Sequence, residues 1–347
     1  MSRAVAGFLL AFCLFTASAV AAAQDTLLRP NNVAIVINDD DANSVEVGEH
    51  YRRAREIPEK NVVRVSIPGS PRALSAAQFS DLKQQIDNAL PENIDAVVFV
   101  WTTPYAVGCN SITSAFTLGF NAAQCADTCA AGQKSPYFDS PVRRPSDLHL
   151  RLSMLLPAAD REIAENVIEH GKLSTFRLNE AGAYYVVTSD RNRNSRARFF
   201  PPTQRVANHR LQIHTLRAES IENRTDVMIY QTGAVSVRHL DTLTFLPGAL
   251  ADHLTSAGGV LLGHDQMSSI QWLKAGATAS YGTVSEPCNH WQKFPHPAVL
   301  LKHYLSGASA IEAYWKSVAW PAQGLFIGEP LAAPYCTTCR GTPPTRH

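Results

Sequence analysis

Short apolar runs alternate along this chain with amphipathic stretches of helical period, and few folds accept that alternation. Residues 32–38 (NVAIVIN), 61–67 (NVVRVSI) and 94–100 (IDAVVFV) are nearly continuous apolar runs, as expected of strands covered on both faces. Asp39-Asp40-Asp41 ends the first run. A helix is predicted from about Asn43, with Val47, Tyr51 and Ala54 on one face, Arg52, Arg53 and Arg55 largely off it, and Pro58 as its bound. Ser75 and Gln78 form a capping-box pattern before the apolar stripe Phe79, Leu82, Ile86 and Leu90, which predicts a second helix. Strand, helix, strand, helix, strand implies right-handed crossovers. The expected fold class is α/β, with a mostly parallel sheet and helices on both faces.

The alternation continues after residue 150. Residues 158–170 read as a helix stopped by Gly171, 183–188 (AYYVVT) and 226–230 (DVMIY) as strands, and 203–217 as a helix. Residues 258–263 (GGVLLG) read as a strand with a tight approach. His264-Asp265-Gln266 then opens a helix carrying Met267, Ile270 and Leu273, stopped by Gly276, and 277–284 is a further strand. Between the halves, residues 106–150 hold three cysteines and few aliphatic runs; they read as an insertion or long loop pinned by disulfides. The expected organisation is an N-terminal α/β half over 24–105, the insertion over 106–150, a C-terminal α/β half over 151–335 and a tail over 336–347.

Arg3 precedes an apolar run over 5–17, and the triplets Ala19-Val20-Ala21 and Ala21-Ala22-Ala23 follow. This is the pattern of a secretory signal peptide over 1–23, too short to serve as a membrane span. No later stretch is long and apolar enough to span, so no integral membrane segment is expected after cleavage. Removing 23 of 347 residues, Arg3 among them, leaves 30 basic and 30 acidic side chains. That balance speaks against nucleic acid as a partner. Of seven cysteines, Cys13 lies in the leader, which leaves Cys109, Cys125, Cys129, Cys288, Cys336 and Cys339. An even number in an exported chain points to disulfides, in pairings the sequence leaves open. Zinc is the alternative, from the Cys125-x-x-x-Cys129 and Cys336-x-x-Cys339 spacings.

Candidate chemistry gathers where strands are expected to end, the edge at which open parallel sheets bind ligands. Asp39 and Asp40 follow the first strand and offer carboxylates to a cation or ligand, or cap the next helix. Arg191 and Arg193 lie with Arg196 and Arg198 in the loop after AYYVVTSD, suited to a phosphate or acidic group. His239 follows DVMIY. The pairs His264/Asp265 and Glu286/His290 close two later segments and have the side chains of general acids, bases or metal ligands. No H-E-x-x-H or G-x-S-x-G motif accompanies them, and no motif names a cofactor, a metal or a partner. Ser309 and Glu312 form a second capping-box pattern.

The stretch TSAGGVLLGHDQMSSIQWLKAGATASYGTVSEP, residues 255–287, resembles the strand–helix–strand tail of gingipain-type and caspase-like peptidases. The resemblance implies a caspase-like (gingipain-like) three-layer sandwich. It also implies a nucleophilic cysteine before the helix and a histidine after the preceding strand. His239 occupies the place of that histidine. Before the helix stand His264, Asp265, Ser268 and Ser269, and Cys288 comes one strand later, so the peptidase roles do not carry over. The blocks NDDDANSVEVGEHYRRAREIP, LPGALADHLTSAGG, AGATASYGTVSEPCN and IEAYWKSVAWPAQGLFIGEPL are similar to those of a family of exported bacterial proteins, a likeness that implies no particular reaction. The expected function is ligand or partner binding without a cysteine nucleophile; a hydrolase using His264, Asp265, Glu286 and His290 is the alternative.

Overall fold

The structure, a computed structural model, describes residues 28–174 and 180–339; the predicted signal peptide lies outside them. The N-terminal strands are β1 (Val33–Asn38), β2 (Val62–Val65), β3 (Ala73–Leu74), β4 (Ala96–Val100), β5 (Ala106–Val107), β6 (Asn110–Ser111) and β7 (Leu152–Leu156). Then follow β8 (Ala181–Val187), β9 (Gln204–Val206), β10 (Leu211–Arg217), β11 (Arg224–Gly233), β12 (Leu243–Leu254), β13 (Ala279–Thr283) and β14 (Gly324–Gly328). The helices are α1 (Ala42–Ala54), α2 (Ala76–Ala89), α3 (Ile112–Leu118), α4 (Ala122–Ala126), α5 (Arg161–Leu173), α6 (Ile270–Lys274), α7 (Pro297–Leu305) and α8 (Ala310–Ser317).

Eleven strands form one sheet in the order β2-β1-β4-β7-β14-β13-β12-β11-β8-β10-β9. Only the β13–β14 and β9–β10 pairs are antiparallel. This is the predicted mostly parallel α/β sandwich. Both halves of the chain contribute to the one sheet, and β14 closes it by lying between β7 and β13. Every residue of β1, β4, β7, β13 and β14 is buried, which explains why their sequences do not alternate in polarity. No helix of the described residues is long and apolar enough to cross a membrane.

Local signals formed as their chemistry dictates. Asp41 caps α1 through its carboxylate and the Asn43 amide. Ser75–Gln78 and Ser309–Glu312 are both complete capping boxes. Arg55, expected off the apolar face of α1, instead reaches across to the buried Glu329, which it grips through both carboxylate oxygens. Tyr51 donates to the same carboxylate at 2.8 Å.

Four expectations are corrected. Residues 203–217 form β9 and β10 rather than a helix; Leu211 and Ile213 alternate inward while β10 pairs in parallel with β8. Residues 258–263 are turns, not a strand, because the neighbouring place in the sheet is already filled by β12. That strand escapes notice in the sequence because Pro247-Gly248 interrupts it. An irregularity in its pairing absorbs them: Phe245 pairs with Val227 and Leu250 with Ile229. Helix α5 continues through Gly171 to Leu173, and the glycine is there for space, since a Cβ would stand 2.3 Å from Glu329 Oε2. Residues 106–150 are not merely a loop: Ser111 caps the buried helix α3, and the Ser111 and Ser114 hydroxyls bond the Gly324 carbonyl.

The expected tight approach near Gly258 is real. Gly259 donates to the Thr283 carbonyl at 2.8 Å, and a Cβ on Gly282 would lie 2.2 Å from the Gly258 carbonyl carbon. Gly282→Ala is therefore expected to destabilise the protein by about 1–3 kcal/mol through forced backbone displacement, read from urea unfolding midpoints. An unchanged midpoint would show that the turn is not packed on β13.

Candidate functional site at the C-terminal strand ends

Three adjacent strands end alike. Tyr185, Gln231 and Asp252 each stand two residues before the last residue of β8, β11 and β12, and they are partners in register. All three are fully buried. A buried carboxylate requires a counter-charge and donors, and Arg196 provides them. Its guanidinium pairs with Asp252 and donates to the carbonyls of Thr232 at 2.9 Å, Asp252 at 3.2 Å and Pro295 at 3.2 Å. The Gln231 amide donates to Asp252 Oδ2 at 2.8 Å. Burial pushes the Asp252 carboxyl above its ordinary value, against the pull of Arg196 and Gln231. Arg196 thus draws the arginine-rich loop down over the strand ends. Gly233 admits it, because a Cβ there would stand 2.0 Å from the Arg193 carbonyl oxygen.

A chain of hydrogen bonds leads outward from that loop. Asp190 holds Arg193 Nη1 at 2.7 Å, Arg193 Nε donates to Thr255 Oγ1 at 3.2 Å, and Thr255 donates to Gln266 Oε1 at 2.6 Å. Gln266 lines a shallow concavity of about 470 Å³ together with Val235, Ser236, His264, Asp265 and Gln271. Buried His253 holds this wall from behind. Its Nδ1 accepts from Trp272 Nε1 at 2.9 Å, so Nε2 carries the proton donated to the Met267 carbonyl at 3.1 Å. Met267 in turn donates its amide to the Val235 carbonyl at 3.0 Å.

The predicted residues fall into separate groups. His264 and Asp265 line the concavity, exposed and without a side-chain hydrogen bond. They precede α6 in turns rather than opening it. His239 is exposed in a left-handed turn after β11, with φ of 62°. Arg193 belongs to the bonded chain above, whereas Arg191 is exposed on the same loop. Glu286 and His290 lie elsewhere along the edge, where they serve the insertion. Glu286 Oε1 accepts from the Cys288 amide at 2.7 Å, and His290 Nε2 meets the Cys129 carbonyl at 2.9 Å. Asp39 pairs with Arg64 at 2.6 Å, and Asp40 accepts from the Ser66 hydroxyl at 2.6 Å. No group of three or more His, Cys, Asp or Glu side chains among the described residues is arranged to hold a metal ion.

The six cysteines among the described residues are all joined: Cys109–Cys125, Cys129–Cys288 and Cys336–Cys339. The second clamps the insertion to the loop after β13. Beside it buried Lys293 donates to the Thr128 carbonyl at 2.5 Å, and burial lowers its pKa to about 8. Sequence reasoning passed over Gln231, Thr255 and Gln266 as site residues. The shared offset of Gln231 and Asp252 from their strand ends shows only once β12 is placed, and the sequence hides β12.

Burial lowers the His253 pKa to about 3. Below the ordinary histidine value the unfolded chain takes up a proton that the folded chain refuses, so this stabilisation is complete above about pH 6.5 and is lost as pH falls towards 3. His253→Gln keeps a donor and an acceptor without titrating. Its stability deficit relative to the native sequence is expected to shrink by about 2 kcal/mol between pH 7 and pH 5, measured by denaturant unfolding. A deficit independent of pH would show that His253 is charged or exposed. Comparison of the chain with models of known families, with curated proteins and with solved structures returns no match.

Proposed function

We propose that this is an exported ligand- or partner-binding protein that uses the concavity beyond β11 and β12 and performs no covalent catalysis there. The observation that carries this reading is the state of the cysteines: each of the six is in a disulfide, and a disulfide sulfur is not a thiolate nucleophile. The disulfides also agree with an oxidising compartment and hence with the predicted leader. The surface has the chemistry of recognition. The only large hydrophobic side chains exposed among the described residues are Val235 (41 %) and Leu262 (39 %), and both lie at this concavity or beside it. The concavity that Val235 lines also carries the side chains of His264 and Asp265. Apolar contact with a few convergent polar groups is the usual make-up of a binding site. The resemblance to caspase-like peptidases then describes a frame that has kept its strand edge without the nucleophile.

A hydrolase remains the second reading, favoured by one observation: His264 and Asp265 are adjacent, unengaged and in one concavity. It rests on these two alone, because Glu286 and His290 are committed to the insertion. Two measurements test the proposal. Iodoacetamide applied to the denatured, unreduced mature protein is expected to label no cysteine; labelling of Cys288 would point instead to a thiol mechanism. In an amide NMR titration against peptide and saccharide libraries, shifts are expected to cluster at 235–240 and 262–271, with the ligand recovered intact. Shifts confined elsewhere would overturn the proposal, as would ligand turnover that disappears in His264→Ala.

A further inference from the structure

A separate groove lies at the β2 edge of the sheet, between the end of that strand and the flank of α2. It holds about 250 Å³. Ile67, Leu74 and Leu82, all largely buried, form its floor, and Pro68 and Pro71 add apolar surface beside them. The other wall is polar. Gln78, Asp81 and Gln85 are spaced three and four residues apart along α2 and so share one of its faces. Among the described residues that line the groove, only Asp81 is charged. Its carboxylate is exposed and meets neither a cation nor a hydrogen-bond donor of the chain. The Gln78 oxygen serves the capping box, which leaves its amide nitrogen unengaged, and the Gln85 amide is unengaged altogether.

Beside the groove runs a free strand edge. Strand β2 ends the sheet and pairs with β1 alone. The Val65 carbonyl accepts from the Asp39 amide at 2.8 Å, and the Ile67 amide donates to Asn38 Oδ1 at 3.0 Å, so Val65 and Ile67 turn their backbone groups towards β1. Backbone groups alternate in direction along an extended strand, which leaves those of Arg64 and Ser66 facing outward. Unpaired backbone of this kind is the template on which an extended segment adds a further strand. Ser66 also lines the groove, so edge and groove adjoin. Its hydroxyl donates to Asp40 at 2.6 Å. Asp40, like Asp81, has no cationic partner, whereas Asp39 is paired with Arg64. Unpaired carboxylates therefore stand both in the wall of the groove and beside its Ser66 end.

We infer that this edge binds an extended peptide segment carrying a lysine or arginine, its backbone pairing with Arg64 and Ser66 and its basic side chain lying in the groove. The methylene stem of such a side chain covers the apolar floor while its charged head stays at the water, where it meets Asp81. An acidic side chain in the same place would face Asp81 and Asp40 and be repelled. The site is separate from the concavity beyond β11 and β12 and stands whether or not that surface binds a partner.

Amide NMR on the mature, disulfide-intact protein tests it with the blocked peptide Ac-Thr-Val-Lys-Val-Thr-NH2, and with copies that carry norleucine or glutamate in place of lysine. The lysine peptide is expected to bind and to shift amides at 62–68 and 78–85. Norleucine is expected to weaken binding about three- to fivefold, the scale of one exposed ion pair, and glutamate to weaken it further. Asp81→Asn changes an exposed side chain. In that variant the lysine and norleucine peptides are expected to bind alike, while the melting temperature without peptide holds. Two further copies of the lysine peptide are N-methylated at alternate residues, one in each frame, and the frame whose amides face β2 is expected to lose binding. No binding of the lysine peptide at millimolar concentration would overturn the inference, as would shifts confined to 235–240 and 262–271. So would a preference for lysine that persists in Asp81→Asn, or undiminished binding of both N-methylated copies.

Discussion

The ion pair between Arg196 and Asp252 governs the C-terminal edge of the sheet. Asp252 is fully buried near the end of β12, with β11 and β13 on either side. A carboxylate there cannot be left alone, because an uncompensated buried charge costs several kcal/mol. Arg196 satisfies it only if the whole loop after β8 descends over the strand ends. Once there, the same guanidinium gathers the carbonyls of Thr232, Asp252 and Pro295, which fixes β11, β12 and the approach to α7 relative to one another. The outer features follow from this. Arg193 reaches Thr255 because Arg196 anchors its loop, and Gln266 is held at the concavity because Thr255 is in place.

Much of this fold is legible in the sequence where one local rule acts alone. The runs 32–38 and 94–100 are apolar throughout because their strands are covered on both faces. The Ser75–Gln78 and Ser309–Glu312 pairs cap helices because the chemistry is complete within four residues. Legibility fails where tertiary packing overrides a local signal. The apolar GGVLLG run looks like a strand, but β12 already adjoins β13, so the run turns and packs its glycines on Gly282. Strand β12 hides behind Pro247-Gly248 and behind Asp252-His253, polar residues whose partners are distant in sequence. Glu329 is another such residue, matched by Arg55 from 274 positions away.

The same division applies to the sites. His264 and Asp265 were found by their chemistry, after an expected strand that is a turn, and the structure puts them in one concavity. Glu286 and His290 have similar chemistry, yet they bond backbone groups around the Cys129–Cys288 disulfide. Residue type alone does not separate the two pairs; the difference lies in what the insertion brings to each. Arg196 stood among four arginines with nothing in the spacing to mark it as the buried one. Glu312 was legible as a cap.

One buried pair, Arg196 with Asp252, organises this edge of the sheet. A double-mutant cycle on Arg196→Met and Asp252→Leu, read by denaturant unfolding, tests it most directly. Each single variant leaves an unpaired buried charge and is expected to lose about 3–5 kcal/mol. The double variant is expected to lose no more than either alone, a coupling of at least about 3 kcal/mol. Strictly additive losses would contradict the claim, because they would mean that the two side chains do not depend on each other.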